Sequence, residues 1–215
     1  MTIVKLSAFP TAGSVLGTDE LGLNEAGTTK KATATQIRTY VGTGLNNAAI
    51  TATSGAYATD TYLAGSAITI PTAGAWVAGS FYRCGFDMTK TAAGTATLII
   101  TVRMGTLGTT GDAAITTMTW GAGTAVADSG WFEVVCTFRA VGGGTTALLK
   151  ATGRLNHGLA ATGLTTSGAS GFSLQGNLSA GFNSTTQTII GISVNGGASF
   201  SGGVETVIAT LDKYQ

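Results

Sequence analysis

The chain has 215 residues, 33 of them glycine and two proline, with a hydrophobic fraction of 44% and only 10% charged residues. Val, Ile, Leu, Phe and Trp recur throughout and the glycines keep no three-residue period, which excludes a disordered or collagen-like chain. A formal net charge of +1 without a basic stripe excludes the electrostatic footprint of a nucleic-acid or anionic-membrane partner.

Charge density this low leaves a surface rich in Ala, Thr and Gly poorly protected against association, so an obligate oligomer is expected. The opening MTIVKLSAFPTAG lacks the apolar core of a signal peptide, and no run approaches the roughly 18 apolar residues of a membrane span. Assembly in a cytoplasm without membrane insertion is the corresponding expectation.

Charged residues are concentrated at the start: Lys5, Asp19, Glu20, Glu25, Lys30, Lys31 and Arg38 all fall within the first 43 positions. The Gly- and Asn-containing stretch VGTGLNNA at 41–48 then reads as a seam, giving an N-terminal region 1–43 and a larger domain 44–215. In the small region, turn chemistry at Pro10–Gly13 and Gly17–Asp19 precedes a short apolar segment around Leu21 and Leu23. NEAGTTKKAT then reads as a hairpin centred on Gly27, with Lys30 and Lys31 starting the return strand. Thr33 or Thr35 can cap a short helix, ATQIRTYV, whose Ile37, Tyr40 and Val41 share a face at i, i+3 and i+4. So small a unit cannot bury that face alone and must dock on something.

The large region alternates with period two. In FYRCGFDM, Tyr82, Cys84, Phe86 and Met88 form the apolar face, opposite Arg83 and Asp87. In ATLIITVRM the apolar set is Leu98, Ile100, Val102 and Met104, opposite Thr97, Thr101 and Arg103, with Ile99 the exception. In WFEVVCTFR it is Phe132, Val134, Cys136 and Phe138, opposite Glu133, Thr137 and Arg139. Further strands are predicted at 68–70, 114–120, 146–154, 172–178, 186–194 and 204–211, joined by Gly-rich turns. The fold class that follows is all-β: an antiparallel jelly-roll sandwich of about eight strands, preceded by the hairpin and short helix. Cys84 and Cys136 read as small buried hydrophobes, with a disulfide between neighbouring strands as the alternative.

The search for chemistry is short. His157 is the sole histidine, in RLNHGLAATG, with no local nucleophile or carboxylate, and reads as a turn or interface residue. No His or Cys pair has zinc-ligand spacing, and Asp112 and Asp128, though they follow Gly-rich turns, belong to no calcium loop. GTLGTTGD lacks the Lys-Ser/Thr of a phosphate-binding loop and joins strand to strand. The triplets beginning at Asn177 and Asn183 match the glycosylation pattern by chance, without a secretory signal. Trp76, Trp120 and Trp131 are candidates for a sugar-stacking platform or for core or subunit-interface positions. No catalytic residue, cofactor or metal is assigned.

The stretch FPTAGSVLGTDELGLNEAGTTKKATATQIRTYV resembles an N-terminal module of tailed-bacteriophage structural proteins, notably head fibres and tail fibres. KTAAGTATLIITVRMGTLGTTGDAAI, DSGWFEVVCTFRAVG and RLNHGLAATG are similar to a jelly-roll module found downstream of it in phage virion proteins. The resemblance implies a non-enzymatic protein on the virion surface and a homotrimer of jelly rolls like the tumour-necrosis-factor fold. It implies attachment of residues 1–43 to a phage capsid protein or tail protein. Lys30, Lys31 and Arg38 would face a polar or acidic partner surface, and Ile37 and Tyr40 would pack against the other copies or the virion. Two roles fit: a capsid decoration (cement) protein or short head fibre, and a short tail fibre whose tip binds a host surface glycan. Only VGTGLNNA separates the two regions, leaving no shaft, which favours the capsid role.

Overall fold

The computed structural model describes residues 20–25, 28–33, 44–50, 57–167 and 171–212. Chain contacts divide into two compact units, Met1–Thr43 and Gly44–Gln215. In the first, β1 (Glu20–Glu25) pairs antiparallel with β2 (Thr28–Thr33), Glu25 opposite Thr28 and Glu20 opposite Thr33. Lys30 and Lys31 sit on β2, in register with Leu23 and Gly22. The expected helix, with Ile37, Arg38 and Tyr40, lies outside the described residues.

The second unit is all-β, with no helix among the described residues, and its sheets are antiparallel. Eight long strands carry it: β6 (Phe81–Lys90), β7 (Thr97–Gly105), β8 (Ala113–Ala122), β9 (Asp128–Ala140), β10 (Leu148–His157), β11 (Phe172–Leu178), β12 (Ile189–Asn195) and β13 (Gly202–Asp212). Three short ones, β3 (Leu45–Ala49), β4 (Thr61–Tyr62) and β5 (Ile68–Thr69), complete it. One sheet runs β11-β10-β9-β6-β13-β3; the other runs β4-β12-β7-β8, with β5 also on β12.

The two sheets pack as a sandwich over one core. Setting aside the β10–β11 hairpin and counting β4 and β5 as one interrupted strand leaves eight strands. They pair first with eighth, third with sixth, second with seventh and fourth with fifth. That order, a long hairpin rolled on itself, is compatible with a jelly roll.

The core follows the alternation. Tyr82, Cys84, Phe86 and Met88 of β6 and Phe132, Val134, Cys136 and Phe138 of β9 are buried, facing Leu98, Ile100, Val102 and Met104 of β7 and Ile190, Ile192 and Val194 of β12. Phe86 and Phe132, partners in register, stack at 5.1 Å, and Trp120 meets Phe132 edge-on at 5.5 Å. Trp120 reaches the opposite sheet because Gly153 of β10 has no side chain: a Cβ there would lie 2.7 Å from Trp120 Cη2 and from Met118 Sδ. Cys84 and Cys136 are buried free thiols on adjacent strands. Burial pushes the Cys84 thiol up from its ordinary 9.0 to about 12 and raises Cys136 as well.

A β-bulge interrupts the pairing of β13 with β6. Val204 pairs with Met88 and Val207 with Phe86, so Glu205 and Thr206 together oppose Asp87. Both of their N–H groups donate to Asp87 Oδ1, at 3.1 and 2.6 Å, which satisfies the backbone where the ladder is interrupted.

Candidate functional site on the outer face of the six-stranded sheet

Outward-facing side chains of β6, β9, β10, β11 and β13 form a ruled surface. One row reads Ile208, Gly85, Glu133, Arg154, Leu174 across the strands, and the next reads Thr210, Arg83, Val135, Thr152, Gly176. Phe81, Trp131, Leu174, Leu178 and Ile208 are exposed on these strands, so most of the large exposed apolar side chains among the described residues belong to this sheet. They are interleaved with Arg83, Glu133 and Arg154 rather than forming one greasy patch.

Trp131 belongs to the phase of β9 opposite to Phe132 and Val134, so its indole leaves the core and is 42% exposed. It lies over Gly85: a Cβ built there would fall inside van der Waals distance of Trp131 Cζ2. Gly85 is therefore the floor that lets the indole lie down, and the ring in turn buries Gly85. Around it, Arg83, Gly85, Trp131, Glu133, Ile208 and Thr210 line an open groove of about 210 Å³.

The polar wall of this groove is organised by ion pairs. Arg83 Nε donates to Glu133 Oε1 at 2.5 Å and its Nη2 pairs with the same oxygen, while Arg154 Nη1 reaches Glu133 Oε2 at 3.4 Å. Glu133 is 13% exposed, and the two arginines are 60% and 57% exposed. Each carboxylate oxygen thus has a cationic donor, and the cluster of two guanidinium groups and one carboxylate carries one surplus positive charge.

The other two tryptophans are internal. Trp76 is 2% exposed, stacks on Phe138 at 4.9 Å and donates from Nε1 to the Gln187 carbonyl at 2.8 Å. Trp120 is 1% exposed in the core, where its Nε1–H has no hydrogen-bond partner. Of the three candidate platform residues, Trp131 alone faces outward.

A second polar cluster lies where β6, β9 and β10 end. His157 Nδ1 is 2.6 Å from Asp128 Oδ2, with both side chains almost wholly buried. Asp128 also accepts from Ser129 N at 2.9 Å and Leu164 N at 3.0 Å. Lys90, in register with Asp128, directs its ammonium to the carbonyls of Ala92, Thr124 and Val126. Burial lowers the Lys90 pKa from its ordinary value, with the charge of Asp128 opposing the shift. These bonds pin the 123–127 and 158–165 loops together. Among the described residues His157 Nε2 is buried without a hydrogen-bond partner, and the Nδ1–Asp128 bond fastens the end of β10 to the start of β9.

Asp112 is consumed in the same way: it accepts from the N–H groups of Thr106, Leu107 and Gly108 at 3.1, 3.0 and 2.7 Å, closing the β7–β8 turn. Arg103 fastens that turn from the side through the Thr110 and Asp112 carbonyls at 3.0 and 2.7 Å, and pairs with Asp60. Among the described residues no three His, Cys, Asp or Glu side chains are grouped to hold a metal ion.

Two of the features just described have sequence signals. Arg83 and Glu133 stand on the polar phase of their strands, and the same parity assigns Trp131 to the outside. Asp128 as the partner of His157 has none, because 29 residues separate them and only the β9–β10 register, Gly130 opposite His157, brings them together. No protein-family profile matches the chain, and no curated protein matches it in sequence.

Proposed function

We propose that the chain is a non-enzymatic structural protein of a tailed-bacteriophage virion: a homotrimeric capsid decoration (cement) protein or short head fibre. In this reading residues 1–43 attach to a capsid protein through Lys30, Lys31, Ile37, Arg38 and Tyr40. The sandwich, read as a jelly roll of the trimer-forming kind, projects outward from the virion surface.

The observation that supports the reading is the division of labour in the chain. The chain divides into a small unit containing a β-hairpin and a large sandwich whose strand order is compatible with a jelly roll. In that sandwich Asp128 is engaged by His157 and backbone N–H groups, and Asp112 closes its own turn.

Low charge density gives the separate argument for self-association. The test is deletion of residues 1–43. The truncated protein is expected to remain a soluble trimer and to be absent from particles; truncated protein that still joins particles contradicts the anchoring assignment.

A second reading, a short tail fibre or receptor-binding protein, is favoured by one feature: the outward-facing Trp131 above its groove. Location separates the two. Decoration requires copies in proportion to the capsid subunits, whereas a tail fibre requires a few copies at the tail.

A further inference from the structure

We propose that the groove beside Trp131 binds a single pyranose ring, and that it prefers an acidic sugar, such as a uronic acid, to its neutral counterpart. The inference rests on the reading of the sandwich as a domain displayed outward from the virion.

Three features of the groove match that ligand. A pyranose presents C–H groups on its faces and hydroxyls around its rim, so it needs an apolar plane beside fixed polar groups. The Trp131 indole supplies the plane, and it is held in place because Gly85 beneath it has no side chain to lift it. Ile208 extends the apolar floor on the neighbouring strand, in register with Gly85.

Hydroxyl partners stand at the edge. Glu133 is fixed by Arg83 and Arg154, so its carboxylate is an oriented acceptor rather than a mobile charge, and Arg83 and Thr210 add donors on the same wall. At about 210 Å³ the groove is smaller than the roughly 300–1,000 Å³ pockets that enclose drug-sized ligands, which matches one ring lying in an open trough. The surplus positive charge of the Arg83–Glu133–Arg154 cluster gives the preference for a carboxylate on the ring: both guanidinium groups are more than half exposed, Arg83 lines the groove, and Asp87, opposite Trp131 in register, lies outside that lining with its Oδ1 taken by the Glu205 and Thr206 N–H groups.

The buried Trp76 and Trp120 make the readout clean, because Trp131 is the one indole of the three that a ligand can touch. The full-length protein is titrated with methyl β-glucuronide and, separately, methyl β-glucoside while the Trp131 indole N–H resonance is followed by NMR. Saturable shifts are expected with both, at least threefold tighter for the glucuronide. Trp131→Ala should weaken both at least tenfold, and Arg83→Gln should bring the glucuronide down to the glucoside.

Absence of a saturable shift with either glycoside overturns the proposal, as does a Trp131→Ala variant that binds them like the parent. Equal affinity of the parent for the two glycosides overturns the acidic preference. Sedimentation of the same variant covers the other occupant of this face: a loss of oligomer mass on Trp131→Ala would make the groove a contact between copies and refute the sugar site. None of these results bears on attachment, which is decided by removal of residues 1–43.

Discussion

The same substitution, Gly→Ala, should be destabilising on the inner face of the six-stranded sheet and nearly neutral on the outer one. At Gly153 a methyl group would lie 2.7 Å from both Met118 Sδ and Trp120 Cη2, about 1 Å inside the roughly 3.5–4.0 Å optimum for such contacts. Met118 and Trp120 are 0% and 1% exposed and packed between the sheets, so neither can move without displacing others. Overpacking of this kind costs about 1–3 kcal/mol, partly offset by about 0.5–1 kcal/mol because alanine is the better strand residue.

With both neighbours held, the upper part of that cost applies, about 2–3 kcal/mol, so the net loss is about 1–2.5 kcal/mol, or roughly 2–10 °C in Tm for a domain of this size. At Gly85 the methyl group also collides with a tryptophan, but Trp131 is on the solvent side and can swing away. The expected stability change is within about 1 kcal/mol of zero, with the groove lost because its floor is raised. Urea and thermal unfolding of Gly153→Ala and Gly85→Ala provide the comparison. If Gly85→Ala is as destabilising as Gly153→Ala, the assignment of Trp131 to a free outer surface is wrong.

Asp128→Ala should cost at least about 2 kcal/mol, since it strands the buried His157 Nδ1 and the Leu164 N–H together; limited proteolysis should then cut within 158–165 first. Asp87→Ala removes the acceptor of two bulge N–H groups and should cost about 1 kcal/mol by chemical unfolding, with the far-ultraviolet spectrum unchanged. Cys84, raised to about 12 by burial, should resist a thiol reagent at pH 8 in the native protein and react on unfolding. The same shift makes stability depend on pH. Its folded pKa lies above the unfolded value near 9, so the folded thiol keeps its proton while the unfolded one ionises. The contribution is complete below pH 9 and is lost as pH rises from 9 to 12, at up to about 1.4 kcal/mol per pH unit, and Cys84→Ala should flatten that slope.

The long strands were legible because their buried positions carry large apolar residues on alternate sites: Tyr82, Cys84, Phe86 and Met88 announce β6 with no further information. β3 and β4 were not. LNNAA offers no strong alternation and is held by backbone pairing to β13, while Thr61–Tyr62 is two residues laid on β12. Both depend on partners more than 130 residues away.

The candidate site was legible by halves. Strand parity separates Trp131 from Phe132, and Arg83 and Glu133 stand on the polar phase. That these residues adjoin follows only from the register that sets Gly85 opposite both Glu133 and Ile208. Gly85 itself carries no chemistry in a sequence, and its role is visible only as the space that the indole fills.

The proposed role makes this protein a stoichiometric part of a phage particle. Quantitative mass spectrometry of virus particles purified from cells that express the gene addresses it directly. The protein is expected in intact particles, at a copy number proportional to the capsid subunits. Its absence from purified particles would contradict the claim, and a few copies confined to tails would contradict the capsid role.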